Sequence, residues 1–110
     1  MRTRSEAVLC RIFLGESDRA DGRPLYEAIV LKAREMGLAG ATVLRGPMGF
    51  GHSSRLHTAK ILRLSEDLPI VVEIVDEKDR IEALLEALDP VLTSGLVTLE
   101  KVEVRRYGSA

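Results

Sequence analysis

The sequence predicts an α+β domain of the ferredoxin-like type: a βαββαβ order, a four-stranded antiparallel sheet and two helices on one face. Three observations carry this. Aliphatic runs of strand length occur at 7–14, 41–46, 69–75 and 96–104. Apolar residues recur at helical steps over 24–36 and 81–88. The whole chain has 110 residues, room for a single domain, 1–110, with a core over about 7–107.

Ala7 to Leu14 (AVLCRIFL) is apolar except for Arg11, the pattern of a buried strand. Cys10 lies inside it. A lone cysteine can build neither a disulfide framework nor a cysteine metal cluster within one chain, and its apolar setting predicts a buried, inert thiol. Gly15 to Arg23 (GESDRADGR) reads as a polar loop. Its acids Glu16, Asp18 and Asp21 suit turn formation and the N-terminal charge of the next helix better than a cation site. Pro24 fits a first helical position, where its missing N–H costs nothing. Leu25, Ala28, Ile29, Ala33 and Met36 then form an amphipathic stripe, stopped by Gly37.

Ala41 to Gly46 is the second strand. Pro47 to Thr58 is expected to be a flexible loop, at a length where loops are usually functional or mobile. Alternation resumes from Ala59, with Ile61, Leu62 and Leu64 apolar. In Pro69 to Val75 (PIVVEIV) neither parity is polar throughout, so this strand should be covered on both faces. Asp76 is expected to cap the second helix, whose Ile81, Leu84, Leu85 and Leu88 repeat at i, i+3, i+4 and i+7 before Pro90 ends it. In the last strand Val97 and Leu99 share one parity and Val102 and Val104 the other, which predicts a bulge or bend at Glu100–Lys101. Arg105, Arg106 and Tyr107 form a basic tail that either folds onto a neighbouring subunit or frays.

Composition narrows the function. Aromatics are 4%, so the core must be aliphatic, and the uncovered face of the sheet needs a partner. A homo-oligomer with packed sheets is expected. A formal net charge of −1 argues against nucleic acid as a partner. No stretch approaches the ~18 apolar residues of a membrane span, and the N-terminal residues carry no long apolar run, so a cytoplasmic location is expected.

The charge is unevenly spread. No acid lies between Glu35 and Glu66, a window that holds Arg45, Arg55, Lys60, Arg63, both histidines and the densest glycine cluster. Arginine forks beside permissive backbone are what an anion site needs. The candidate ligand-binding residues are Arg45, Gly46, Gly49, Phe50, Gly51, His52, Ser53, Ser54 and Arg55. The stretch lacks the Lys-Ser/Thr ending of a P-loop and any dinucleotide fingerprint. His52 and His57 have no acid nearby to complete a metal site, and the adjacent serines have no acid to complete a triad. Neither a resident metal nor catalysis is expected.

Four blocks carry a resemblance. They are Arg11–Asp18 (RIFLGESD), Pro24–Val30 (PLYEAIV), Gly37–Gly46 (GLAGATVLRG) and Leu68–Asp76 (LPIVVEIVD). In this order they resemble a bacterial and archaeal PII-like family catalogued as a domain of unknown function. The resemblance implies a ferredoxin-like subunit, a homotrimer, and a long loop between the second and third strands. It implies an adenine nucleotide bound in clefts between subunits and a loop that docks onto a target. By analogy with relatives linked to fluoride channels, that target is a membrane transporter or channel. Gly49-Phe50-Gly51-His52 is similar to the glycine-rich start of the PII loop. Departures are also visible: His52 and Ser53 replace a basic residue and Gln, no Tyr lies between Phe50 and Leu68, and Val75–Lys78 is acidic where PII has a lysine-bearing phosphate loop. Two alternatives use the same fold. A CutA-like metal-binding trimer would rely on His52 and His57, and a small acylphosphatase-type enzyme would turn over an acyl phosphate.

Overall fold

The computed structural model describes residues 3–50 and 67–108. In chain order these form β1 (Thr3–Gly15), β2 (Arg19–Ala20), β3 (Arg23–Pro24), α1 (Leu25–Glu35), β4 (Thr42–Arg45), β5 (Pro69–Asp76), α2 (Lys78–Leu88) and β6 (Leu96–Arg106). The main sheet has the order β4-β5-β1-β6, every neighbouring pair antiparallel. Each helix is the crossover between two parallel strands that a third strand separates. This is the ferredoxin-like arrangement.

Strand alternation builds the core. Val8, Cys10, Ile12 and Leu14 of β1 and Ile70, Val72 and Ile74 of β5 are buried, in one cluster with Leu25, Ile29 and Ala33 of α1 and Ile81, Leu84 and Leu88 of α2. Each large aliphatic side chain fully removed from water contributes about 1.5–3 kcal/mol. Burial also pushes the Cys10 thiol up to about 11, with the Glu82 carboxylate adding to the shift. Because the folded state favours the neutral thiol, its contribution to stability is present below about pH 9 and is lost as the pH rises towards 11. Cys10 should stay unmodified by a thiol reagent at pH 8 until denaturant is added. Rapid labelling without denaturant would contradict its burial.

Helix α1 ends in a Schellman motif: the Leu38 N–H donates to the Ala33 carbonyl (3.0 Å) and the Gly37 N–H to the Arg34 carbonyl (3.1 Å). Leu38 then packs against the core.

Several expectations change. The polar stretch 15–23 contains the tight β2–β3 hairpin, turned at Asp21 (φ 50°) and Gly22 (φ 80°), the left-handed pair a two-residue turn requires. Pro24 immediately precedes α1 instead of opening it. Asp76 is not the cap of α2; that position is Glu77, without a side-chain cap bond. Asp76 is instead a buried tether. It accepts hydrogen bonds from the Ala39 N–H (2.9 Å) and the Glu77 N–H (2.7 Å) and pairs with Arg80 (3.4 Å).

No bulge interrupts β6. Its ladder with β1 runs unbroken from Phe13↔Leu96 to Thr3↔Arg106. The phase shift marks a change of apolar face. Val97 and Leu99 lie opposite Ile12 and Cys10 on the helix side, whereas Val102 and Val104 lie opposite Ala7 and Ser5 on the open side. β5 pairs with β1 only from Val8 onward, so the β1–β6 ribbon continues alone beyond the four-stranded sheet. The alternation at 59–64 and most of the 47–58 loop lie outside the described residues.

Candidate functional site

Of the predicted ligand residues, Arg45, Gly46, Gly49 and Phe50 are described. Gly51, His52, Ser53, Ser54 and Arg55, together with His57, lie outside the described residues. Arg45 is the last residue of β4, a short strand exposed along its length. The Gly46 N–H donates to the Pro69 carbonyl (2.8 Å), so the chain leaves the sheet beside the start of β5. A Cβ on Gly46 would stand 2.8 Å from Pro69 Cγ, which is why a glycine fits this close approach. Phe50 is 69% exposed.

The foot of this connection is fastened to the turn after β1. Arg45 pairs with Glu16. The Glu16 N–H donates to the Leu68 carbonyl (2.8 Å). The Ser17 hydroxyl donates to Asp67 Oδ1 (2.8 Å), and the Gly15 N–H donates to Asp18 Oδ2 (3.0 Å). Asp18 thus acts as a turn former, and no cluster of metal-ligating side chains occurs among the described residues.

A groove of about 290 Å³ opens at the other end of β4. Its walls are Ala39–Thr42, Glu73 and Val75 of β5, and Val104 and Arg106 of β6. Small and aliphatic walls with a hydroxyl, a carboxylate and a guanidinium at the rim suit a flat, largely apolar ring carrying a few polar groups. These residues were not singled out from sequence as a site. Ala39–Thr42, Glu73 and Val75 form no charge cluster in the sequence, and Arg106 read as part of a tail, although it is the last residue of β6.

The open face of the sheet joins the groove. Leu44, Val71, Phe13 and Leu96 form one cross-strand row over all four strands. Leu44 and Leu96 are 48% and 59% exposed. Beside this row Arg11 donates to Glu73 (2.9 Å) and to Glu100 (2.8 Å). The Glu73 hydrogen bond, with both carboxylates nearby, raises the pKa of the guanidinium further.

This fold is shared with solved PII-like proteins. CPII of Thiomonas intermedia K12, a nitrogen regulatory PII-like protein, matches in its apo form with a TM-score of 0.66 and 17% identity, over 97% of this chain and 100% of CPII. Its complex with ADP, AMP and bicarbonate matches with a TM-score of 0.69 and 17% identity, over 93% and 91% of the two chains.

The chain belongs to the DUF190 family, described as an uncharacterized ACR, whose profile matches residues 7–104. A UPF0166 protein of Aquifex aeolicus is 42% identical, covering 87% of this chain and 90% of its own length. A UPF0166 protein of Methanocaldococcus jannaschii is 32% identical, over 90% and 92%. Among the described residues no helix is long and apolar enough to cross a membrane.

Proposed function

We propose that this protein is a cytoplasmic, trimeric PII-like regulator that binds a small anionic ligand, an adenine nucleotide, in clefts between subunits. The observation that carries the reading is the placement of two complementary features on one strand. Thr42 lines the groove at the start of β4, and Arg45 sits at its end. Three strand steps separate them by about 10 Å and turn their side chains to opposite faces of the sheet, Thr42 opposite Glu73 and Arg45 opposite the buried Ile70. One ligand would therefore reach both only by lying across the exposed β4 strand. The crystallised complex of CPII with ADP and AMP supports an adenine ring as the occupant.

The remaining parts of the reading follow from packing. The row Leu44–Val71–Phe13–Leu96 is too apolar to favour water, and a second and third copy would cover it. Gly46, Gly49 and Phe50, with Gly51, His52, Ser53, Ser54 and Arg55 beyond them, would then border the cleft. Ligand binding would order the loop and alter the surface it offers to a partner, for which a membrane transporter or channel is the class the resemblance implies.

The test is thermal unfolding against ADP, AMP, cyclic nucleotides, bicarbonate and transition metals, with the mass measured by light scattering. A nucleotide at about 100 times its Kd should add about 2.7 kcal/mol of stability. A trimer mass with a shift from an adenine nucleotide supports the reading. A shift with metals alone overturns it in favour of a metal-handling protein.

A further inference from the structure

We infer that Glu16 is a built-in competitor for the anion site: its carboxylate occupies the Arg45 guanidinium that a ligand's anionic group needs. The inference rests on the reading above, in which Arg45 contacts the anion.

The two partners are unequal. The Arg45 side chain is 56% exposed and uses one nitrogen, Nη2, on Glu16 Oε2. Its other donors have no partner among the described residues. Guanidinium has five donors in a planar fork, so most of its capacity is unused. The Glu16 side chain is only 18% exposed. Its second oxygen, Oε1, is buried and accepts no hydrogen bond from the described residues. Among the described residues the carboxylate is therefore poorly served: one oxygen meets no protein donor, and the other depends on Arg45. A buried acceptor that meets no protein donor is uncommon in folded proteins.

The surroundings say which part can move. The Glu16 backbone is held by the Leu68 carbonyl, and the residues on either side by Asp18 and Asp67. The turn is fixed, so exchange requires only a rotation of the Glu16 side chain. A carboxylate, a bicarbonate and a phosphate present the same paired oxygens to an arginine fork. An anionic ligand at Arg45 thus replaces Glu16 like for like, and Glu16 sets a threshold that weakly charged ligands do not pass. Glu16 acts as a specificity determinant for strongly anionic ligands.

The experiment is calorimetric titration of the full chain with ADP and, separately, with inorganic pyrophosphate. Wild type, Glu16→Gln, Arg45→Gln and the double variant are compared. Glu16→Gln should tighten binding roughly two- to five-fold, the scale of a half-exposed ion pair. Arg45→Gln should weaken it by about five-fold or more. The double variant should match Arg45→Gln, because the competitor then has nothing to hold. Glu16→Ala should act in the same direction as Glu16→Gln and serves if that variant folds poorly. If wild type binds ADP and both Glu16 variants bind it equally or more weakly, Glu16 merely orients Arg45 and the competition is overturned. If ADP binds no variant, the adenine-nucleotide reading fails and pyrophosphate decides alone. Tighter pyrophosphate binding in Glu16→Gln then supports the competition, and pyrophosphate binding to none overturns it.

Discussion

Truncating Leu84 to alanine is expected to destabilise the folded chain by about 2–5 kcal/mol. Leu84 is fully buried in the middle of the α2 stripe, between Ile81 and Leu88, within a cluster that also holds Cys10, Ile12, Val72 and Ile74. Alanine removes the transfer contribution of the lost carbons and leaves a cavity that a sheet on one side and a helix on the other can only partly close. For a domain of this size the whole stability is about 5–15 kcal/mol, so the loss is a large fraction of it. Urea unfolding at one fixed protein concentration is the measurement, since the proposed subunit association would also contribute to the apparent stability. A midpoint unchanged from wild type would mean that α2 does not pack on the sheet as described. Replacing Glu86, which is exposed on the same helix, should change stability by no more than about 0.5 kcal/mol and serves as the control.

The second large effect is expected at Asp76. Asp76→Ala should cost about 1.5–3 kcal/mol, the scale of hydrogen bonds to a charged group. The buried carboxylate joins three pieces: the end of β5, the 37–41 connection through the Ala39 N–H, and the start of α2 through Glu77 and Arg80. Removing it leaves two N–H groups without their acceptor. Arg80 keeps a second bond, to the Gly37 carbonyl, so its charge is not stranded. Asp76→Asn retains one acceptor oxygen but sets an amide N–H₂ against those donors, and should lose less than alanine does. The Ala39 bond also positions one wall of the groove. On the proposed function, Asp76→Ala should therefore weaken ADP binding at a temperature where the variant is still folded. Calorimetry with ADP checks this; full affinity in a destabilised Asp76→Ala would separate the tether from the groove.

Much of the fold was legible because its signals are local. Periods of two and of three to four in short windows report which side of an element is buried, and the buried residues of β1, β5, α1 and α2 follow those periods. The β2–β3 hairpin shows the limit of reading by class: Asp21-Gly22 is a turn signal with a definite geometry, yet inside a polar stretch it read as loop. The shift in β6 was visible, but its cause was not. A parity change looks the same whether the strand bulges or the apolar face moves from one side of the sheet to the other. Only the register with β1 distinguishes them, and it runs unbroken.

The candidate site divides in the same way. Charge segregation and glycine spacing pointed to Arg45 and Gly46 without any structure, since both are properties of composition in a window. The groove could not be found so, because Thr42, Glu73 and Arg106 come from three strands and are unremarkable one at a time. Glu16 carried a signal, an acid in a turn, but nothing that paired it with Arg45.

The sequence by itself determined the order of the two helices and the four strands of the main sheet, the aliphatic core, the burial of Cys10 and the basic character of the segment after β4. Each depends on neighbours along the chain. Tertiary structure alone decided which acid meets Arg45, which face of β6 is apolar at each end, and where the groove lies. Those depend on strand register and helix crossing, which bring together residues far apart in sequence whose individual types do not name their partners.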